Sequence, residues 1–143
     1  MKEKADIYIK LTIRSLQRLT TYKEYLQNYK DRLDEVTIIS NTSLNEKTAA
    51  TNKIYSITED TAVRIHEIKY LMKSLDNRIK TIETNLNKLP KLEKEILTAR
   101  YIDELTIEKA AKTCQCSNIT IWRKEKIALK KLTDFMYSDL YTK

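Results

Sequence analysis

Leu105-Thr106-Ile107-Glu108-Lys109-Ala110-Ala111-Lys112-Thr113-Cys114-Gln115-Cys116-Ser117-Asn118-Ile119-Thr120-Ile121-Trp122-Arg123 reads as two helices with a short turn between them. A threonine just before an apolar-periodic run can accept a backbone N–H that the helix leaves unpaired, so Thr106 opens the first helix. Ile107, Ala110 and Ala111 give that helix one apolar side. Cys114 to Cys116 form the turn, and Ser117 caps a second helix predicted over residues 117–135. A helix opened this way after a tight turn can enter the major groove of duplex DNA with its first two turns leading.

Flanking residues complete a three-helix core. Leu92, Ile96 and Ala99 line one face of a preceding helix, and Ile121, Ala128, Leu129 and Leu132 close the core from the last one. Ala111 is small, as two helices crossing steeply at a short turn require. What remains at the start of the last helix is Asn118, Ile119, Trp122, Arg123 and Lys126. Arg123 has the fork to bond guanine O6 and N7 together, Asn118 suits adenine or a phosphate, and Ile119 can cover a thymine methyl. Ser117, Thr120, Lys126 and Lys130 suit phosphates, which set register without reading sequence. The candidate DNA-facing set is therefore Thr106, Ser117, Asn118, Ile119, Thr120, Trp122, Arg123, Lys126 and Lys130. An alternative for Trp122 is packing on Phe135 or on the N-terminal helices.

The chain divides at its only proline, Pro90, which disfavours helical geometry in the residue before it. Residues 1–88 are expected to form one domain and residues 89–143 the other. In the first, Ile9, Ile13, Leu16, Leu19, Tyr22, Leu26, Tyr29, Leu33 and Val36 make a continuous apolar stripe, and Ile65, Ile68, Met72, Leu75, Ile79, Ile82, Leu86 and Leu89 make a second in alternating steps of three and four. The polar run Ser40-Asn41-Thr42-Ser43 reads as a short connection, with the second helix running from about Leu44 to Lys88 and changing phase near Thr61. A short connection makes the two helices antiparallel neighbours, a long helical hairpin of coiled-coil type ahead of the helix-turn-helix. The fold class is all-α.

Composition narrows the function. The formal net charge is +7, which favours an acidic partner, with 15 basic and 12 acidic side chains over residues 1–87 and 12 and 8 over residues 88–143. Between Arg123 and Lys131 five basic residues face only Glu125. Glycine is absent, which removes phosphate-cradling loops, the dinucleotide fingerprint and the nucleophile elbow. The single histidine, His66, falls between Ile65 and Glu67 in a long helical pattern and supports no catalytic constellation. Cys114 and Cys116 lack the second pair or histidines of a structural zinc site and read as small apolar residues at the turn. No enzyme activity, metal or cofactor is expected. With no signal-like start and no apolar run near the length of a membrane span, the chain is expected to be cytoplasmic, with its thiols reduced and no membrane partner.

Leu89-Pro90 with Glu93, Glu95, Ile96 and Leu97, then Tyr101, Leu105-Thr106, Ala111, Ser117, Thr120-Ile121, Glu125, and Ala128-Leu129 with Leu132 resemble region four of bacterial sigma factors. With the long hairpin ahead of that module, and with Trp122-Arg123 and Ala128-Leu129 in its last helix, the whole chain resembles phage regulators of the ArpU and RinA type. That resemblance implies a transcriptional regulator that binds double-stranded DNA through residues 106–131, with residues 1–88 serving a homodimer or a contact to RNA polymerase. It points to Asn118, Ile119, Trp122 and Arg123 as the base-facing set. Two departures stand out: sigma factors commonly carry charged residues where Ile119 and Trp122 stand, and glycine where Gln115 stands. Either Gln115 takes a left-handed conformation or the turn is shaped differently. The heptads before Pro90 replace the aromatic, basic segment a complete sigma factor needs to melt a promoter. The alternative from another class is a coiled-coil assembly protein such as a small terminase-like DNA-packaging adaptor, although those resemble the reverse order, with the DNA module first.

Overall fold

The computed structural model describes residues 2–45 and 51–141, and among these residues every regular element is helical. Helix α1 spans Lys2–Asn45 and α2 spans Thr51–Leu86. No glycine or proline interrupts either of them, so nothing in the chain opposes such lengths. The two helices are antiparallel neighbours: the Arg78 guanidinium lies 5.8 Å from the Tyr22 ring centre, and Arg32, Glu35 and Val36 share a surface cleft with Arg64, Glu67 and Ile68. Every residue of the two expected apolar stripes is buried or half-buried, whereas Lys69, Lys73, Arg78 and Lys80 on the outer flanks are exposed.

The expected connection is corrected. Ser40 to Ser43 and Leu44 belong to α1, which ends at Asn45, and α2 begins at Thr51, seven residues later than expected. Serine, asparagine and threonine only modestly disfavour a helix interior, so a polar run without glycine or proline does not end one. The capping-box sequence Ser43-Leu44-Asn45-Glu46 at the expected start of this helix extends into residues 46–50, which lie outside the described set.

By contacts the chain forms two compact units, Met1–Thr21 with Ile79–Lys143, and Tyr22–Arg78. The unit that holds the helix-turn-helix is thus larger than residues 89–143. Two contacts show what its first helix adds. The Thr133 hydroxyl donates at 2.9 Å to the Thr12 hydroxyl oxygen in the buried interior, and the Tyr8 and Tyr137 rings stack with centres 5.2 Å apart. Helix α5, Asn118–Tyr141, runs past the expected end near residue 135, because Tyr137 has this partner and no residue of 136–141 breaks a helix.

After α2 the chain turns at Asn87 to Leu89, and Pro90 caps helix α3, Lys91–Leu97, with its carbonyl accepting from the Lys94 amide at 3.0 Å. The preset φ of proline suits this place, where its missing N–H costs nothing. A π-helical turn over Thr98–Ile102 follows, closed by Asp103 N–H donating to the Thr98 carbonyl at 2.8 Å. Glu104 then takes a left-handed conformation, φ 54°, and leads into α4, Ile107–Cys114. Ile96, Ala99, Ala110, Ala111, Cys114 and Ile121 form the core, with Leu92, Leu105, Ile107 and Cys116 packed against it. Leu97, Ala128 and Leu132 are also buried. No helix of the described residues is long and apolar enough to cross a membrane.

Candidate nucleic-acid interface

The two caps form as their side-chain chemistry dictates. Thr106 Oγ1 accepts from the Lys109 amide at 3.3 Å, and Ser117 Oγ accepts from the Thr120 amide at 3.1 Å. The Ser117 and Thr120 hydroxyls lie 2.9 Å apart, so both polar residues at the start of α5 are tied to its first turn. Between the caps, Gln115 adopts φ 54°, ψ 48°, the left-handed form of the two geometries open to a turn without glycine. A β-carbon there costs about 1 kcal/mol. The amides of Gln115 and Cys116 close the end of α4 by donating to the Lys112 and Ala111 carbonyls at 3.3 and 3.0 Å.

Helix α5 then presents Asn118, Ile119, Trp122, Arg123, Lys126 and Lys130 outward, all of them exposed. Ile119 is 64 % exposed and Trp122 53 %, high values for large apolar side chains. That exposure gives no support to Trp122 being packed away on Phe135 or on the N-terminal helices. The Lys126 ammonium sits 3.7 Å from its ring centre, a cation–π contact in which the lysine shields the indole face, while Phe135 has Lys88 over its own ring at 5.7 Å. Thr120 is half-buried, and Thr106 is exposed but stands at the N-cap of α4, not on the outward stripe of α5.

The charge on this face is cleaner than the sequence suggests. Glu125, the only acid between Arg123 and Lys131, is turned inward and 8 % exposed. Its carboxylate accepts from the Tyr101 hydroxyl at 2.5 Å and from Arg100 Nε at 3.4 Å, while Arg100 Nη1 donates to the Leu105 carbonyl at 2.7 Å. This cluster ties the π-helical turn and the loop after it to α5. Burial and the Glu125 carboxylate push the Tyr101 phenol well above its ordinary range, since both disfavour a second anion there. Lys131 is engaged as well: it donates to both oxygens of buried Glu93 at 3.0 and 3.2 Å. The exposed basic stripe is therefore Arg123, Lys126 and Lys130.

Sequence reasoning counted Glu125 as a counter-charge to the lysines and missed its partners. A signal was present, since Glu125 stands four residues after Ile121 and three before Ala128, on the buried stripe of its own helix. Glu93 repeats the pattern, four residues after Leu89 and three before Ile96. Burial raises the pKa of the Cys114 thiol, with Cys116 and Glu95 adding to the effect. Among the described residues no three His, Cys, Asp or Glu side chains cluster to hold a metal ion.

Residues 86–134 match the family model of sigma-70 region 4, about a third of the chain. Neither the curated proteins nor the solved structures gave a match. The matched segment is a sigma region-four-like helix-turn-helix, a DNA-binding domain, and it contains the outward stripe of α5.

Proposed function

We propose that this chain is a sequence-specific transcriptional regulator of the phage or prophage type represented by ArpU and RinA, a cytoplasmic binding protein and not an enzyme. The observation that carries the reading is the outward face of α5, where Asn118, Ile119, Trp122, Arg123, Lys126 and Lys130 stand exposed while the one intervening acid is turned into the core. Arg123 and Asn118 read base edges, Ile119 and Trp122 supply apolar contact, and Lys130 holds phosphate. Ser117 and Thr120 fix the first turn of the reading helix, with Thr106 at the edge of the footprint.

Residues 1–88 serve a homodimer or a contact to RNA polymerase in this reading. Support comes from Tyr25, Val63, Tyr70 and Leu71, large apolar side chains left 41–70 % exposed. Light scattering across a micromolar concentration series checks it, because a mass that stays at 16.9 kDa while tight specific binding persists rules out the homodimer.

The test of the DNA reading is a pair of titrations against a duplex selected from a random pool and against a scrambled one. Arg123→Ala should cost about 1–3 kcal/mol on the selected duplex and relax discrimination there. Lys130→Ala should weaken both duplexes alike and lower the slope of log affinity against log salt by about 0.9. Equal losses for Arg123→Ala on both duplexes would remove it from base reading.

A further inference from the structure

Residues 7–23 contain no aspartate or glutamate, and carry Lys10, Arg14 and Arg18 at steps of four. On α1 that spacing puts the three cations in one row, and all three are exposed. The opposite side of the same turns is anchored: Thr12, Leu16 and Leu19 are buried, and the Thr12–Thr133 hydrogen bond ties α1 directly to α5. Among the described residues none of the three cations makes a salt bridge or side-chain hydrogen bond. This row belongs to the same compact unit as the helix-turn-helix.

A solvated helix face normally mixes both signs of charge, as α2 does with Lys73, Asp76 and Lys80. A one-sign row of exposed cations on a helix that is hydrogen-bonded to α5 favours an acidic polymer as its partner. From Lys10 to Arg18 the helix rises about 12 Å, which measured along the duplex axis matches three or four phosphates of one strand at roughly one per 3.4 Å. We propose that Lys10, Arg14 and Arg18 form a second DNA contact, a stripe that grips the phosphate backbone beside the segment read by α5. This proposal rests on α5 being the reading helix. It extends the footprint of one chain past a single groove and adds affinity without sequence preference.

The test uses the full chain with Lys10→Gln, Arg14→Gln and Arg18→Gln combined, and two duplexes sharing one selected site: a short one ending at the site and one extended by about a helical turn on each side. Arg123→Ala is measured in parallel. On the extended duplex the triple variant should lower the slope of log affinity against log salt by about 2–3 and weaken selected and scrambled sequences by the same factor. On the short duplex it should match the wild type. Circular dichroism melts confirm the fold, and if the triple variant melts early, Arg14→Gln alone should still remove about 0.9 from the slope on the extended duplex. A slope on the extended duplex equal to that of the wild type overturns the proposal and leaves an acidic protein as the occupant to seek. Equal loss on both lengths overturns the placement beside the site. If Arg123→Ala also leaves binding unchanged, the reading of α5 itself fails, whereas impairment by Arg123→Ala with an unchanged triple variant removes only the stripe.

Discussion

Replacing Glu125 with alanine removes the acceptor on which the Tyr101 hydroxyl and the Arg100 guanidinium converge. The Tyr101 bond at 2.5 Å ends on a charged acceptor in a site 8 % exposed, and such bonds contribute about 1.5–3 kcal/mol. The Arg100 contact is longer, 3.4 Å, with the arginine side chain 24 % exposed, so solvent screening reduces it to roughly 0.5–1 kcal/mol. Arg100 also keeps its bond to the Leu105 carbonyl in the variant. Alanine returns a few tenths of a kcal/mol through its better helix propensity. The expected loss is about 2–3 kcal/mol, read as a shift of the urea midpoint at constant slope in circular dichroism of the full chain. Glu125→Gln leaves a neutral acceptor for Tyr101 and should cost about half as much, and Tyr101→Phe combined with Glu125→Ala should show about 1 kcal/mol or more of coupling in a double-mutant cycle. Glu125→Ala within about 0.5 kcal/mol of the wild type, or no coupling to Tyr101, would refute the view that this cluster fixes α5 to the π-helical turn.

Tyr101 also sets an alkaline limit. Its phenol holds its proton to higher pH in the folded chain than in the unfolded one, where it ionises near 10, so above that pH the unfolded state binds fewer protons and stability falls. Below pH 10 this contribution is fully present; Tyr101→Phe should show a shallower decline above it when the two chains are melted side by side. Gln115→Gly should leave stability unchanged or raise it by up to about 1 kcal/mol, relief at φ 54° being set against a more flexible unfolded chain; a loss above 1 kcal/mol in denaturant melts would mean that the glutamine side chain makes a needed contact. Deleting residues 2–21 removes buried Leu16 and Leu19, at about 1.5–3 kcal/mol each, and should lower the thermal midpoint of the helix-turn-helix, whereas a module that ended at Pro90 would melt unchanged.

What was legible in the sequence was governed by chemistry within one or two turns of helix. Thr106 and Ser117 cap because their hydroxyls reach amides three residues on, and the stripes of α1 and α2 were readable because one buried face imposes a period. Ser40 to Ser43 misled because polarity marks a surface, and a helix can be polar all round for a turn. Glu125 and Glu93 sat in plain view on apolar stripes, yet a carboxylate at a buried position becomes reasonable only when its partner is known. Those partners, Arg100 with Tyr101 and Lys131, lie 24 to 38 residues away in the chain. The Thr12–Thr133 bond spans 121 residues, and no local pattern announces it. Gln115 shows the remaining limit, since its two geometries differ by about the energy of one β-carbon contact, and only the packing of α4 against α5 selects between them.

The ammonium of Lys126 over Trp122 gives the molecule its own optical readout. Trp122 is the sole tryptophan, so all indole emission of the chain arises on the outward face of α5. In the free protein a half-exposed ring with a cation on its face emits in a polar setting. If α5 enters the groove as proposed, a phosphate would draw Lys126 away and the groove would cover the ring, so the surroundings of the indole would change twice in one event, in charge and in wetness. The emission colour and intensity of the unlabelled protein should therefore follow occupancy of the reading helix directly, with no dye attached and no second tryptophan to subtract.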